Sequence, residues 1–151
     1  MKVLIIMGSE SDKPVMQESQ TYLQFFGIES ELVVASAHRN PEKVREIVVN
    51  AQPQGVGVII AAAGMAAALP GVVSAYTSLP VLGVPLEGGL PGGIDALYSI
   101  VQMPAGLPVG TLAVGKAGAR NAGIMAARIL ALSDKKIAER VEAFKQNGYR
   151  I

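Results

Sequence analysis

Cysteine and tryptophan are absent from this 151-residue chain, and histidine occurs once, at His38. Without cysteine there is no disulfide, no thiolate metal site and no thiol nucleophile. With a single histidine, a His-rich metal site is excluded as well. The missing thiols fit a reducing compartment. Charge is also scarce: 13 Lys and Arg stand against 12 Asp and Glu, for a formal net charge of +1. Apart from the Lys135–Lys136 pair there is no basic cluster, so electrostatics make no case for nucleic acid or an acidic partner. No charged residue at all lies between Glu46 and Glu87. The run GVGVIIAAAGMAAALPGVV inside that gap has the hydropathy of a membrane span of ~20 residues. Gly55, Gly57, Gly64, Pro70 and Gly71 divide it, however, and the expectation is a buried strand, a small-residue loop and a helix. The N-terminal run after Lys2 is too short for a signal-peptide core and ends at Gly-Ser instead of a small-residue cleavage site.

What is present is a hydrophobic chain, 50% apolar, of a length that fits one domain over residues 1–151. A chain of this size cannot hide all that apolar surface alone, so part of it is expected in subunit contacts. Strands and helices alternate. KVLIIM (2–7) is a continuous apolar run of the kind buried on both faces of a sheet. Residues 11–27 follow as a helix, with Ser11 or Asp12 as cap, Pro14 in the first turn and Gly27 as stop. Further strands are expected at 29–36, 55–63, 79–86 and 107–114. Further helices are expected at 41–52, 69–77, 92–103, 121–132 with Asn121 as cap, and 134–148. Five strands alternating with helices predict an α/β three-layer sandwich around a parallel sheet, flavodoxin-like or Rossmann-like. In such folds ligands bind outside the carboxyl ends of the strands. That directs attention to four loops: GSESD, SAHRNP, AAGMAAALPG and PLEGGLPGG.

In the first loop Gly8 lets backbone approach a ligand, Ser9 and Ser11 offer hydroxyls, and the helix start favours an anion such as phosphate. Asp12 can accept hydrogen bonds from ribose hydroxyls. The plain alternative is a helix cap with exposed polar side chains. The loop matches neither the dinucleotide fingerprint nor a Walker loop. In the second, Arg39 offers a planar fork for phosphate. Imidazoles as a class titrate near pH ~6.5, which suits His38 to proton transfer; the alternative is an ordinary loop histidine. The third loop is so poor in side-chain volume that something must approach its backbone. Either its N–H groups line an anion pocket or small residues allow tight subunit packing.

Together the segments MGSESD, SAHRNP, AGMAAALPG, LPVLGVP, DALYSIVQMPAGLPVGTLAVGKAG and NAGIMAARIL resemble the N5-carboxyaminoimidazole ribonucleotide mutases of purine biosynthesis, the catalytic subunit of phosphoribosylaminoimidazole carboxylase. They cover most of residues 1–132 in the family's order. The resemblance implies a cytoplasmic homo-octamer with sites near subunit contacts, helices 121–148 in those contacts, and no metal, biotin or nucleotide cofactor. It implies that Ser9, Ser11 and Asp12 hold phosphate and ribose, that Arg39 binds phosphate, and that His38 is the general acid/base. The matching segments add Ser36, Gly64, Ala68 and Leu69 to the expected substrate-binding set.

Three departures stand out. The family usually reads AAHLPG where this chain has Ala68, so a side-chain contact to carboxylate or CO2 is lost there. Met65 replaces a more usual glycine. The chain ends at KQNGYRI, short of the usual C-terminal extension, so octamer contacts are expected to differ. Two other functions compete with the mutase reading. One is a carboxylase that adds free CO2 to aminoimidazole ribonucleotide, or a related nucleotide carboxylase such as those of nickel-pincer cofactor synthesis. The other is a non-catalytic nucleotide- or flavin-binding module, against which the strand-end loops, without aromatics, argue.

Overall fold

The structure, a computed structural model, describes residues 1–151. Five strands form one sheet: β1 (Lys2–Met7), β2 (Ser30–Val34), β3 (Val56–Gly64), β4 (Val81–Leu86) and β5 (Gly110–Thr111). Six helices alternate with them: α1 (Lys13–Phe25), α2 (Pro41–Ala51), α3 (Leu69–Ala75), α4 (Ile94–Val101), α5 (Gly115–Ala131) and α6 (Lys135–Gln146). The strand order is β2-β1-β3-β4-β5 and every pairing is parallel. This is the doubly wound order in which the chain reverses its direction of winding between β1 and β3. The expected three-layer α/β fold is therefore the fold observed.

Alternation along β1 divides the core in two. Val3, Ile5 and Met7 face one side, with Met16, Leu23 and Phe26 near α1, Ala122 and Ala126 of α5, and Phe144 of α6. Leu4 and Ile6 face the other, with Val44 and Val48 of α2, Leu69 and Val73 of α3, and Ile100 of α4. Successive side chains of a strand point to opposite faces, so a strand with helices on both sides must be apolar throughout. Residues 3–7 of β1 are buried without exception.

Two elements differ from the sequence expectation by more than two residues at an end. The fifth strand, expected at 107–114, pairs only through Leu82–Gly110 and Gly83–Thr111. Pro108 has no N–H for a ladder, and its carbonyl instead accepts a hydrogen bond from the Ser74 hydroxyl at 2.8 Å. The helix expected to begin at an Asn121 cap begins at Gly115, and Asn121 lies exposed inside it. The two glycines of GKAGA weaken its local helix signal. There Gly118 is buried against the Ala113 carbonyl with no room for a Cβ, and Ala119 is fully buried. Tertiary packing, not a cap, starts this helix: no side chain caps it. Within α4, Ile100 is buried, while Ile94 and Val101 project outward with Tyr98.

Candidate active site

Loops from the carboxyl ends of β1, β2, β3 and β4 converge on one cavity of about 650 Å³. It lies at the winding reversal, where neighbouring loops diverge and leave a crevice. All nine residues expected from the sequence line it: Ser9, Ser11, Asp12, Ser36, His38, Arg39, Gly64, Ala68 and Leu69.

The first loop folds on itself. The Ser9 hydroxyl accepts hydrogen bonds from the Ser11 N–H at 3.3 Å and from the Ser11 hydroxyl at 2.9 Å. Asp12 Oδ2 accepts the Ser9 N–H at 3.0 Å. This reciprocal pair caps a single turn of 3-10 helix over Glu10–Asp12, ahead of α1. Of the two expected caps, Asp12 holds the N-cap position of α1, without a side-chain capping bond, and Ser9 caps the 3-10 turn ahead of it. Burial pushes the Asp12 carboxyl above the usual carboxylate range, against the lowering effect of the Ser9 N–H. Gly8 has open space at its Cβ position, with only Asp12 Oδ2 at 4.0 Å.

The second loop turns directly into α2. Asn40 caps that helix by accepting the Lys43 N–H at 3.1 Å, and Pro41 follows at its first position. The turn holds Arg39 across the top of β1. Its Nη2 donates to the Gly8 carbonyl at 3.3 Å, and the Ser36 hydroxyl accepts its backbone N–H at 3.2 Å. Arg39 forms no ion pair, and its Nε points to the Ser36 hydroxyl at 3.5 Å. His38 is exposed at the rim. A cation, three hydroxyls and a helix start at one end, with an imidazole beside them, can hold a phosphate and move a proton near it.

The third loop supplies shape. Ala63 to Leu69 contribute no polar side chain to the cavity. Ala67 and Ala68 N–H groups donate to the Met65 and Ala66 carbonyls, at 2.9 and 2.7 Å. Two of the amides the sequence offered to an anion are therefore already taken. Met65 holds a left-handed φ of 56°, a conformation that costs a side-chain-bearing residue about 1 kcal/mol or more and a glycine nothing. A Cβ at Gly64 would stand 3.1 Å from the Leu86 carbonyl oxygen, so glycine lets β3 and β4 close the cavity floor.

Sequence reasoning named no site residue at the end of β4, where Glu87 and Gly88 line the cavity. The strand-end rule pointed to their loop, but a lone carboxylate among glycines has no spacing signature.

The AIR carboxylase family model matches residues 2–150. The N5-carboxyaminoimidazole ribonucleotide mutase of Vibrio vulnificus is 55% identical over 145 residues, covering 96% of this chain and 90% of that protein. The enzyme of the same name from Thermotoga maritima is 49% identical over 149 residues, covering 99% and 86%. Among solved structures, Treponema denticola PurE superposes with a TM-score of 0.83 at 28% identity, covering 97% of this chain and 90% of that one.

Proposed function

Given that the chain belongs to the AIR carboxylase family, we propose that it is an isomerase of purine biosynthesis, converting N5-carboxyaminoimidazole ribonucleotide to 4-carboxy-5-aminoimidazole ribonucleotide. The observation that carries this reading is the single cavity that gathers Ser9, Ser11, Asp12, Ser36, His38 and Arg39. In this scheme Arg39 and the serine hydroxyls hold the phosphate, and Asp12 accepts from the ribose. His38, protonated, gives its proton to the carbamate nitrogen as the N–C bond breaks, releasing CO2 and the free amine. The electron-rich ring then adds CO2 at carbon 4. The neutral His38 takes the proton left on that carbon and aromaticity returns. One proton leaves the imidazole and one comes back, so one histidine suffices. Gly64, Ala68 and Leu69 line the apolar wall against which CO2 is retained between the two steps.

The same reading makes the protein a cytoplasmic single-domain subunit of a homo-octamer, with residues 121–148 in subunit contacts and no nucleic-acid partner. Exposed apolar side chains support the assembly: Leu132 is 89% exposed and Tyr98 62%.

The test is a choice of substrate. Turnover of the carbamate at low bicarbonate is expected; turnover only of aminoimidazole ribonucleotide at high CO2 makes the protein a direct carboxylase instead. In the same assay His38→Asn is expected to lower kcat by about 10²–10⁴-fold, the range of general acid–base contributions. Substantial activity in that variant would remove His38 from the mechanism.

A further inference from the structure

The wall against which CO2 is retained has a seam. One side is the β3 loop, with Gly64, Ala68 and Leu69; the other is the loop after β4, where Glu87 and Gly88 line the cavity. The two sides meet at two places. A Cβ at Gly64 would stand 3.1 Å from the Leu86 carbonyl oxygen and 3.5 Å from that of Glu87, so backbone closes on backbone there. Further out, at the exposed Met65, a Cβ at Gly89 would stand 3.3 Å from Met65 Cγ. The first contact belongs to the sheet, because Gly64 and Leu86 are partners in the β3–β4 ladder. The second depends on the loop. Residues 87–93 read EGGLPGG, and Gly92 and Gly93 take left-handed conformations at φ 72° and 66°. A chain so rich in glycine keeps one shape only where something ties it.

The tie is Asp95, in the first turn of α4. Its Oδ2 accepts the Leu90 N–H at 3.1 Å, and the Leu90 carbonyl accepts the Gly93 N–H at 3.1 Å, so Leu90 is held through both backbone groups. Gly89 lies directly against the carboxylate, since a Cβ there would collide with Asp95 Oδ2. Gly89 is thus wedged between Asp95 and Met65. The other carboxylate oxygen, Oδ1, is buried without a hydrogen-bond partner, and Asp95 forms no ion pair. An unpaired buried oxygen works against stability. Asp95 is therefore poorly placed as a prop for the fold and well placed as a clamp on this loop. Resting on the function proposed above, we infer that Asp95 is a positioning residue for the mutase: through Leu90 and Gly89 it holds the β4 loop against Met65 and keeps the seam shut while CO2 is free. Without the clamp, CO2 released from the carbamate nitrogen leaves, and CO2 from solution takes its place at carbon 4. The bond broken, the bond formed and the His38 proton are the same in either case; only the source of the carbon differs.

The test follows that carbon. Unlabelled carbamate is turned over in isotopically labelled bicarbonate, and the labelled fraction of the product is read by mass spectrometry for wild type, Asp95→Ala, Asp95→Asn and Gly89→Ala. Wild type is expected to incorporate little label. Asp95→Ala is expected to raise the ratio of exchanged to retained carbon about tenfold or more, the value of a hydrogen bond to a charged acceptor. Gly89→Ala, whose Cβ displaces the carboxylate, is expected to do the same. Asp95→Asn keeps an oxygen for the Leu90 N–H and is expected to stay within about threefold of wild type. The labelled fraction is a ratio within the product, so a variant that is only less folded lowers total turnover and leaves the fraction unmoved. A fraction unchanged in both Asp95→Ala and Gly89→Ala, while wild type turns over the carbamate, overturns the role of Asp95 alone. Free exchange in wild type overturns it too, with the mutase reading intact. A wild type that does not turn over the carbamate overturns the functional reading and this inference together.

Discussion

At Asp12 the residue's two tasks conflict. Its carboxylate is expected to receive ribose hydroxyls, yet burial already holds its pKa above the ordinary carboxylate range. A pKa raised in the folded state means that the fold favours the protonated form. That contribution is fully present below the unfolded pKa and is lost as pH rises through the folded one, so at neutrality the charge works against the fold. Asp12→Asn keeps an oxygen for the Ser9 N–H and is uncharged at every pH. It is therefore expected to raise Tm at pH 7 by about 1–2 °C, a small gain because the group is half solvated. The difference should vanish below the carboxylate range. Thermal melts of both proteins from pH 3 to 7 check this, and a lower Tm for the variant at pH 7 would contradict it. The same substitution should weaken nucleotide binding, the usual exchange between stability and a working site.

Between elements, α1 and α5 pack in close contact. The buried Ser19 hydroxyl donates to the Ala119 carbonyl at 2.6 Å. A Cβ at Gly123 would stand 2.8 Å from the Ser19 carbonyl oxygen and 3.3 Å from Tyr22 Cβ. Gly123 is inside a helix, where replacing glycine ordinarily gains up to about 1 kcal/mol. Here the obstacle is backbone, which cannot swing aside. Gly123→Val, with poor helix propensity and two further methyls, is expected to destabilise by about 1–3 kcal/mol through overpacking. Urea unfolding should show a lower midpoint at constant slope. This contact also shows what the sequence could reveal. The apolar run 2–7 and the start of α2 at Pro41 carry their own local signals, and both form as expected. In the first turns of α5 Gly115 and Gly118 offset the helix preference of the alanines and no side chain caps the start, so these turns take their structure from what they touch and were illegible. The site divides the same way. His38, Arg39 and the serines are chemically distinctive and follow strands, so they could be named in advance. The Ser9 cap and Glu87 depend on how loops close, which no spacing encodes.

At the scale of the whole molecule, α4 turns an apolar stripe to solvent. Ile94, Tyr98 and Val101 recur at helical spacing and are all exposed, opposite the buried Ala96 and Ile100. A stripe of that kind on a helix that already packs a core calls for a second partner. If the octamer proposed above uses it, Tyr98→Glu should shift the sedimentation mass from about eight subunits to smaller species, with the far-ultraviolet spectrum of the fold retained. Desolvating a carboxylate within an apolar contact is unfavourable enough to separate the subunits. An unshifted mass would place the subunit contacts elsewhere.

The order of strands in the sheet also has a consequence for the making of the protein. Val3 pairs with Ser30 on one side and with Val58 on the other. During synthesis at roughly 5–20 residues per second, the first strand leaves the ribosome several seconds before its second neighbour exists. For that interval a strand apolar from Val3 to Met7 is open along one edge. The nascent chain, rather than the finished enzyme, is where this protein is most exposed to aggregation, and where chaperones have most reason to meet it.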